Sequence, residues 1–332
     1  MNNQLNMLER FISGKSKNKQ QEAAVNADET ELAAFRLGTI PITEGLRDEG
    51  LAGEFNQSVF FADDEIAFRL DEEDEGMVGD EIRRRELLLK DQYPFRLEGG
   101  SLKFCTDNRS PIYEFCLAAS QYGTTSGGSA NQYQIAFERL TKAAMTMWLG
   151  PKSGAFRFGV PGDEHEKHPS KMKEKSDLLR TMIKFPGNEW TWDVSVDAKD
   201  IDGYQFVKDL GVDIIAWKKN NDCRRGHLFY LCQCACGKTN WGQKIQEIDD
   251  HKLKRYFRPL TYPPYVKVFS TPHHVANENY LGQLAESGES YIFDRIRLVN
   301  LFEDNTAIDH AKKEMFNTLD DLIQDAIDKF NS

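Results

Sequence analysis

The chain has 332 residues, of which 40% are hydrophobic and 29% charged, with a formal net charge of −11. That length allows one large domain or two smaller ones with ample core, and the composition excludes a wholly disordered chain. No segment approaches the ~18 uninterrupted apolar residues of a membrane span, so no membrane partner is expected. The N-terminus lacks the apolar run of a secretory signal. Six cysteines without small-disulfide spacing point to reduced thiols and a cytoplasmic location.

The charge is uneven along the chain. Residues 1–100 carry 22 acidic and 12 basic residues, whereas 205–275 carry 12 basic and 6 acidic. Phosphate binding depends on local charge, so the negative total does not exclude nucleic acid. A solvated face is the bland use of any such run.

In chain order, residues 13–30 read as a polar, mobile stretch. An acidic run at 63–76 ends in glycine, and 80–95 has helical composition up to Tyr93-Pro94. Gly99-Gly100 marks a boundary, because paired glycines punctuate and the charge balance changes there. This divides the chain into an acidic, mainly helical extension (1–100), a central domain (101–305) and an amphipathic C-terminal helix (306–332). Within the central domain, 112–120 is apolar, 131–150 and 176–185 read as helices, and 212–219 and 227–235 read as strands around a polar turn. A helical segment at 241–257 follows, then strands at 265–271 and 291–302 with a short helix from about Asn277 between them. In the last helix Ile308, Phe316, Leu319, Ile323, Ala326 and Phe330 share one stripe.

The stretch LCQCACGKTNW (231–241) admits three chemistries. A phosphate-binding loop needs a glycine five positions before the Gly-Lys pair, but that position is Cys232, inside an apolar run. Zinc needs converging thiolates, whereas Cys232, Cys234 and Cys236 alternate and would lie about 7 Å apart along a strand. A metal-dependent phosphodiesterase needs a carboxylate and a second oxygen ligand beside a lysine. Asp213 in DLGVDIIAW and Gln233 in FYLCQCA stand at hairpin spacing, with Gln233 and Ala235 on the strand face opposite the cysteines.

The pair GVDII and FYLCQCA resembles the PD-(D/E)xK restriction-endonuclease-like superfamily, in its Mrr-type branch with a glutamine in the second motif. The resemblance covers residues 205–275 and extends over 131–302. It implies an α/β fold, with a mixed central sheet flanked by helices. It further implies Mg²⁺- or Mn²⁺-dependent cleavage of nucleic acid, double-stranded DNA above all, in prokaryotic defence beside a separate ATPase or helicase. Asp213 then matches the metal-binding aspartate, Gln233 the second-motif residue, and the carbonyl of Cys234 a further metal ligand. Glu138 matches the glutamate of the first core helix, against a solvated helix glutamate as its plain use. The motif lysine is missing, because Ala235 stands in its place; Lys244 is the preferred substitute and Lys238 the second. Lys218, Lys219, Arg224, Arg225, Lys252, Lys254 and Arg255 are candidate phosphate contacts. The missing lysine equally allows a nuclease-fold scaffold without chemistry, and self-association stays open.

Overall fold

A computed structural model of the chain describes residues 19–42, 64–123, 130–159, 174, 210–218, 228–238, 241–256, 265–276 and 278–331. The predicted helix at 176–185 lies outside them. The chain is α/β, with two sheets and flanking helices.

The first helix, α1 (Lys19–Leu37), covers part of the stretch read as mobile. Its alanines explain the difference: Ala23, Ala24, Ala27, Ala33 and Ala34 are buried, and small side chains let a second helix approach closely. That helix is α2 (Asp64–Leu89), which runs through both the acidic run and the helical segment predicted after it. Three short strands, β1 (Thr39–Pro41), β2 (Phe95–Glu98) and β3 (Ser101–Phe104), form an antiparallel sheet ordered β1-β3-β2. Gly99 and Gly100 form the two-residue turn joining β2 to β3, with φ of 59° and 82°. Both positions need the left-handed region that glycine adopts without a Cβ clash. At the predicted boundary the two glycines close a hairpin.

Helix α3 (Pro111–Tyr122) follows, with proline in its first turn where no amide donor is needed. Helix α4 (Ala130–Leu149) confirms the predicted helix at 131–150. The second sheet is mixed and ordered β4-β5-β6-β7-β8: β4 (Ser153–Arg157), β5 (Ile214–Lys218), β6 (Leu228–Cys234), β7 (Tyr265–Ser270) and β8 (Ser290–Phe293). The pairs β4–β5 and β5–β6 are antiparallel, while β6–β7 and β7–β8 are parallel. The segment predicted as one helix over 241–257 is instead a 3-10 helix (Trp241–Gln246) and a separate α5 (Asp250–Tyr256). Helix α6 (Glu278–Gly288) joins β7 to β8.

The strand predicted over 291–302 stops at Phe293. Asp294 then caps α7 (Arg295–Leu301) by accepting the Arg297 amide at 3.0 Å, a side-chain bond that starts a helix. The C-terminal stripe is likewise split into α8 (Asn305–Glu314) and α9 (Leu319–Asn331). Phe316 and Asn317 take φ of 53° and 61° between them, so Phe316 is exposed while Leu319, Ile323 and Ala326 are buried.

One apolar cluster runs from Ala27 in α1 to Ala326 in α9 and covers one face of the large sheet. A smaller one, with Ala235, Trp241, Ile245, Phe269 and Leu284, covers the other. A buried charge network links the first 100 residues to the sheet. Arg85 of α2 reaches Asp28 at 2.7 Å, Glu31 at 2.9 Å and Glu81 at 3.0 Å. Arg295 grips both oxygens of Asp28 at 2.7 and 2.8 Å. Burial alone would raise the Asp28 carboxyl, but Arg295 and Arg85 hold it well below the usual range.

Candidate functional site

Asp213 stands one residue before β5 and ties three strands together. Its amide donates to the Cys232 carbonyl at 2.8 Å, and its own carbonyl accepts from the amides of Phe158 and Gly159. Its Oδ2 accepts the Cys234 amide at 2.7 Å. The paired register ends at Ile214↔Cys232, with Asp213 and Gln233 each one residue beyond it. The two predicted site residues therefore stand at the same end of the β5–β6 pair, linked through Cys234.

Gln233 is buried. Its Nε2 donates to the Cys234 carbonyl at 3.3 Å, while its Oε1 has no hydrogen-bond partner among the described residues. Such an oxygen ordinarily costs ~1–3 kcal/mol. The Cys234 carbonyl thus already faces the glutamine side chain.

Glu138 comes from α4 and is only 3% exposed, not the solvated helix glutamate of its plain reading. Its Oε2 accepts from Arg157 Nη1 at 3.0 Å. The two carboxylates meet at Gly159. A Cβ on that glycine would lie 3.0 Å from Asp213 Oδ1 and 3.2 and 3.4 Å from the Glu138 oxygens. Glycine leaves that volume free between Asp213 and Glu138. The sequence reading missed Arg157 and Gly159. The signal for the first was available, since an arginine between Phe156 and Phe158 in a strand needs a buried partner.

The alternation of β6 divides its side chains as expected. Cys232, Cys234 and Cys236 join the large cluster beneath α4, and Ala235 joins the cluster on the opposite face. Burial, followed by Cys232 for Cys234 and by Glu138 for Cys236, pushes these two thiols well above their ordinary range. Among the described residues no group of three His, Cys, Asp or Glu side chains is placed to hold a metal ion. The groups that meet at Gly159 are the two carboxylates of Asp213 and Glu138.

Ala235 is fully buried against Trp241 and Phe269, where a lysine would have to bury its ammonium. Lys244 is half-buried on the 3-10 helix and is felt electrostatically by Cys236, opposing the upward push on that thiol. Lys238 is exposed on a turn. His273 stacks on Trp241 with ring centroids 5.3 Å apart and contacts the Gly237 carbonyl through Nε2 at 2.9 Å. Burial chiefly lowers its pKa to about 4, so it is neutral at pH 7.

The predicted phosphate contacts fare unevenly. Lys218 donates its Nζ to the carbonyls of Leu149 at 2.5 Å and Pro151 at 2.6 Å, finishing the C-terminal end of α4. It also lies five residues from Asp213, roughly 16 Å along the strand at ~3.3 Å per residue. Lys254 is exposed on α5. Lys219, Arg224 and Arg225 lie outside the described residues, as do the side chains of Lys252 and Arg255.

No helix among the described residues is long and apolar enough to cross a membrane. Comparison with protein-family models, with curated proteins and with solved structures found no match to the chain.

Proposed function

We propose that this protein is a divalent-metal-dependent nuclease of the restriction-endonuclease-like type, acting on DNA in prokaryotic defence. The observation that carries the reading is the convergence of Asp213 and Glu138 on the open volume at Gly159, with the buried Gln233 linked to Asp213 through Cys234. The order α4, β4, β5, β6, α5, β7, with β7 parallel to β6, is the one the resemblance implies. Oxygen donors suit a hard cation such as Mg²⁺ or Mn²⁺, and the orphaned Gln233 Oε1 supplies a neutral one.

In this reading Asp213, Glu138, Gln233 Oε1 and the Cys234 carbonyl would hold the ion. When bound, it supplies a Lewis acid for the scissile phosphate and lowers the pKa of a bound water. The cross-strand hydrogen bond to the Cys234 amide fixes one oxygen of Asp213, so the other keeps its direction. Lys244 brings a positive charge to the same end of β6 and takes the part of the lysine absent at 235. A cytoplasmic location and a partner ATPase or helicase belong to the same proposal.

A second reading, a nuclease-fold nucleic-acid-binding or scaffold subunit without chemistry, is favoured by two specific observations. Ala235 leaves no room for a lysine, and Arg157 already neutralises Glu138. The deciding experiment is cleavage of plasmid DNA and of RNA with Mg²⁺ or Mn²⁺ by the full chain and by Asp213→Ala. Metal-dependent cleavage lost in a folded Asp213→Ala protein supports the enzyme. Cleavage undiminished by that substitution refutes the assignment, and no cleavage of any substrate by the parent chain favours the scaffold.

A further inference from the structure

Between the end of β6 and the 3-10 helix that Trp241 opens, one imidazole touches both flanks of the connection. His273 Nε2 lies 2.9 Å from the Gly237 carbonyl oxygen. The same ring stacks on Trp241, with centroids 5.3 Å and planes 15° apart. A carbonyl only accepts, so the neutral ring carries its proton on Nε2. His273 is itself held from behind: Arg295 donates its amide to the His273 carbonyl at 3.1 Å and its Nε to the Pro272 carbonyl at 2.9 Å. The Thr271 hydroxyl donates to the Ala235 carbonyl at 2.9 Å, tying the same loop to the end of β6. The 3-10 helix runs from Trp241 to Gln246 and contains Lys244. Such a helix has about three residues per turn, so side chains three apart fall in line. Lys244 therefore stands one turn beyond Trp241 on the same side, and the orientation of the indole sets where the lysine leaves the helix.

We infer that His273 is a positioning residue for Lys244: it pins Gly237 and Trp241 and so fixes the helical turn that carries the lysine, a role that rests on the nuclease reading above. A lysine at 235 would be held by the strand ladder. One on a short 3-10 helix is not, because the hydrogen bonds of such a helix have poorer geometry, and its direction depends on contacts from outside. His273 supplies two of them, one polar and one by stacking. Phe269 and Tyr280 also pack on Trp241, with centroids 6.3 and 6.2 Å away. Loss of the imidazole therefore loosens the indole without emptying the cluster around it. In the nuclease reading the charge of Lys244 acts on the transition state, so its displacement lowers kcat and leaves KM near the parent value.

The test is a double-mutant cycle on DNA cleavage by the full chain with Mg²⁺ or Mn²⁺, with hydrogen exchange across residues 237–246 as a second measurement. His273→Ala removes both contacts, His273→Phe keeps a ring against Trp241, and His273→Gln keeps a donor for Gly237. His273→Ala should lower kcat about 10-fold or more, the scale of losing a supporting contact, with KM within about twofold of the parent. The other two should each lose less, and they carry the cycle if His273→Ala fails to fold. In the Lys244→Ala background the same substitutions should cost nothing further, because a residue that acts through the lysine has nothing left to position. Exchange across 237–246 should quicken in His273→Ala and less in the other two. Equal losses in both backgrounds, parent-like kcat in the folded variants, or a defect in KM alone would each overturn the role of His273 and leave the nuclease standing. Parent-like exchange in all the folded variants would overturn the anchoring whether or not the protein cleaves. A folded parent that cleaves no nucleic acid with either ion would overturn the nuclease reading and this role with it.

Discussion

Replacing Gly159 by alanine separates a metal centre from a structural charge cluster. The backbone there is not in the left-handed region, so alanine meets no conformational penalty. The added methyl would lie 3.0 Å from Asp213 Oδ1 and 3.2 Å from Glu138 Oε2, closer than ordinary contact by a few tenths of an ångström. Both carboxylates must retreat by that amount, and over-packing of this kind costs ~1–3 kcal/mol. The consequence for an ion is larger. Metal–oxygen bonds of about 2.1–2.5 Å leave no room for a methyl between the ligands. Gly159→Ala should therefore lose at least ~10²-fold in Mn²⁺ affinity, beyond the ~10–100-fold of a disturbed supporting residue. Urea unfolding reads the stability cost, and calorimetric titration at fixed pH reads the affinity. A folded Gly159→Ala protein that binds Mn²⁺ as the parent does would refute the argument that the open volume is the ion's place.

Two further outcomes are expected. Lys244→Ala should lower cleavage by roughly 10²-fold, the scale of losing a transition-state charge contact. Lys238→Ala should cost less, with a defect that shrinks at low salt; comparison of the two rates at two ionic strengths checks this, and a dead Lys238→Ala beside a normal Lys244→Ala would exchange their roles. His274 lies with Nε2 at 2.9 Å from Glu81 Oε1 and Nδ1 at 3.3 Å from Asp294 Oδ2, with Arg85 also acting on it. Burial disfavours its charged form, yet the two carboxylates raise its pKa above 6.5. A raised pKa contributes stability that is complete below the unfolded value and is lost as pH rises through the folded one. The unfolding free-energy difference between the parent and His274→Gln should therefore shrink from pH 6 towards pH 9, and a difference that is flat or grows over that range would contradict the pairing.

The hairpin was legible because its signals are local. Alternation in β6 fixed which side chains face which layer, and the spacing of the two runs fixed the β5–β6 hairpin. Glu138 was legible only through the resemblance, since nothing in AFERLTK distinguishes a buried glutamate from a solvated one. Its partner Arg157 lies 19 residues away on another element. Helix starts that depend on one side chain were missed where they interrupt an apolar run, as Asp294 does. The break at Phe316 and Asn317 was missed because neither residue advertises a positive φ. The glycine pair at 99–100 carried a turn signal, and the turn it makes closes the β2–β3 hairpin.

The buried network also changes what the charge of the first 100 residues means. Asp28, Glu31 and Glu81 belong to the acidic part of the chain, yet they lie inside the fold against Arg85, and Asp28 also against Arg295. Tyr93 and Tyr113 donate their hydroxyls to Glu31 at 2.5 and 2.7 Å, satisfying the remaining carboxylate oxygens. These acids do not present a repulsive face to a polyanion. They fasten α1 and α2 to the loop and cap that follow β7 and β8. A fragment beginning at 101 would leave Arg295 buried without Asp28, a loss of ~3–5 kcal/mol for a broken buried pair, against a typical total stability of about 5–15 kcal/mol. It would also strip the apolar cluster of Ala27, Leu32, Ile82 and Leu89. The N-terminal helices are therefore packed and charge-paired with the elements that follow the large sheet, and the exposed acidic surface is smaller than the sequence count implies.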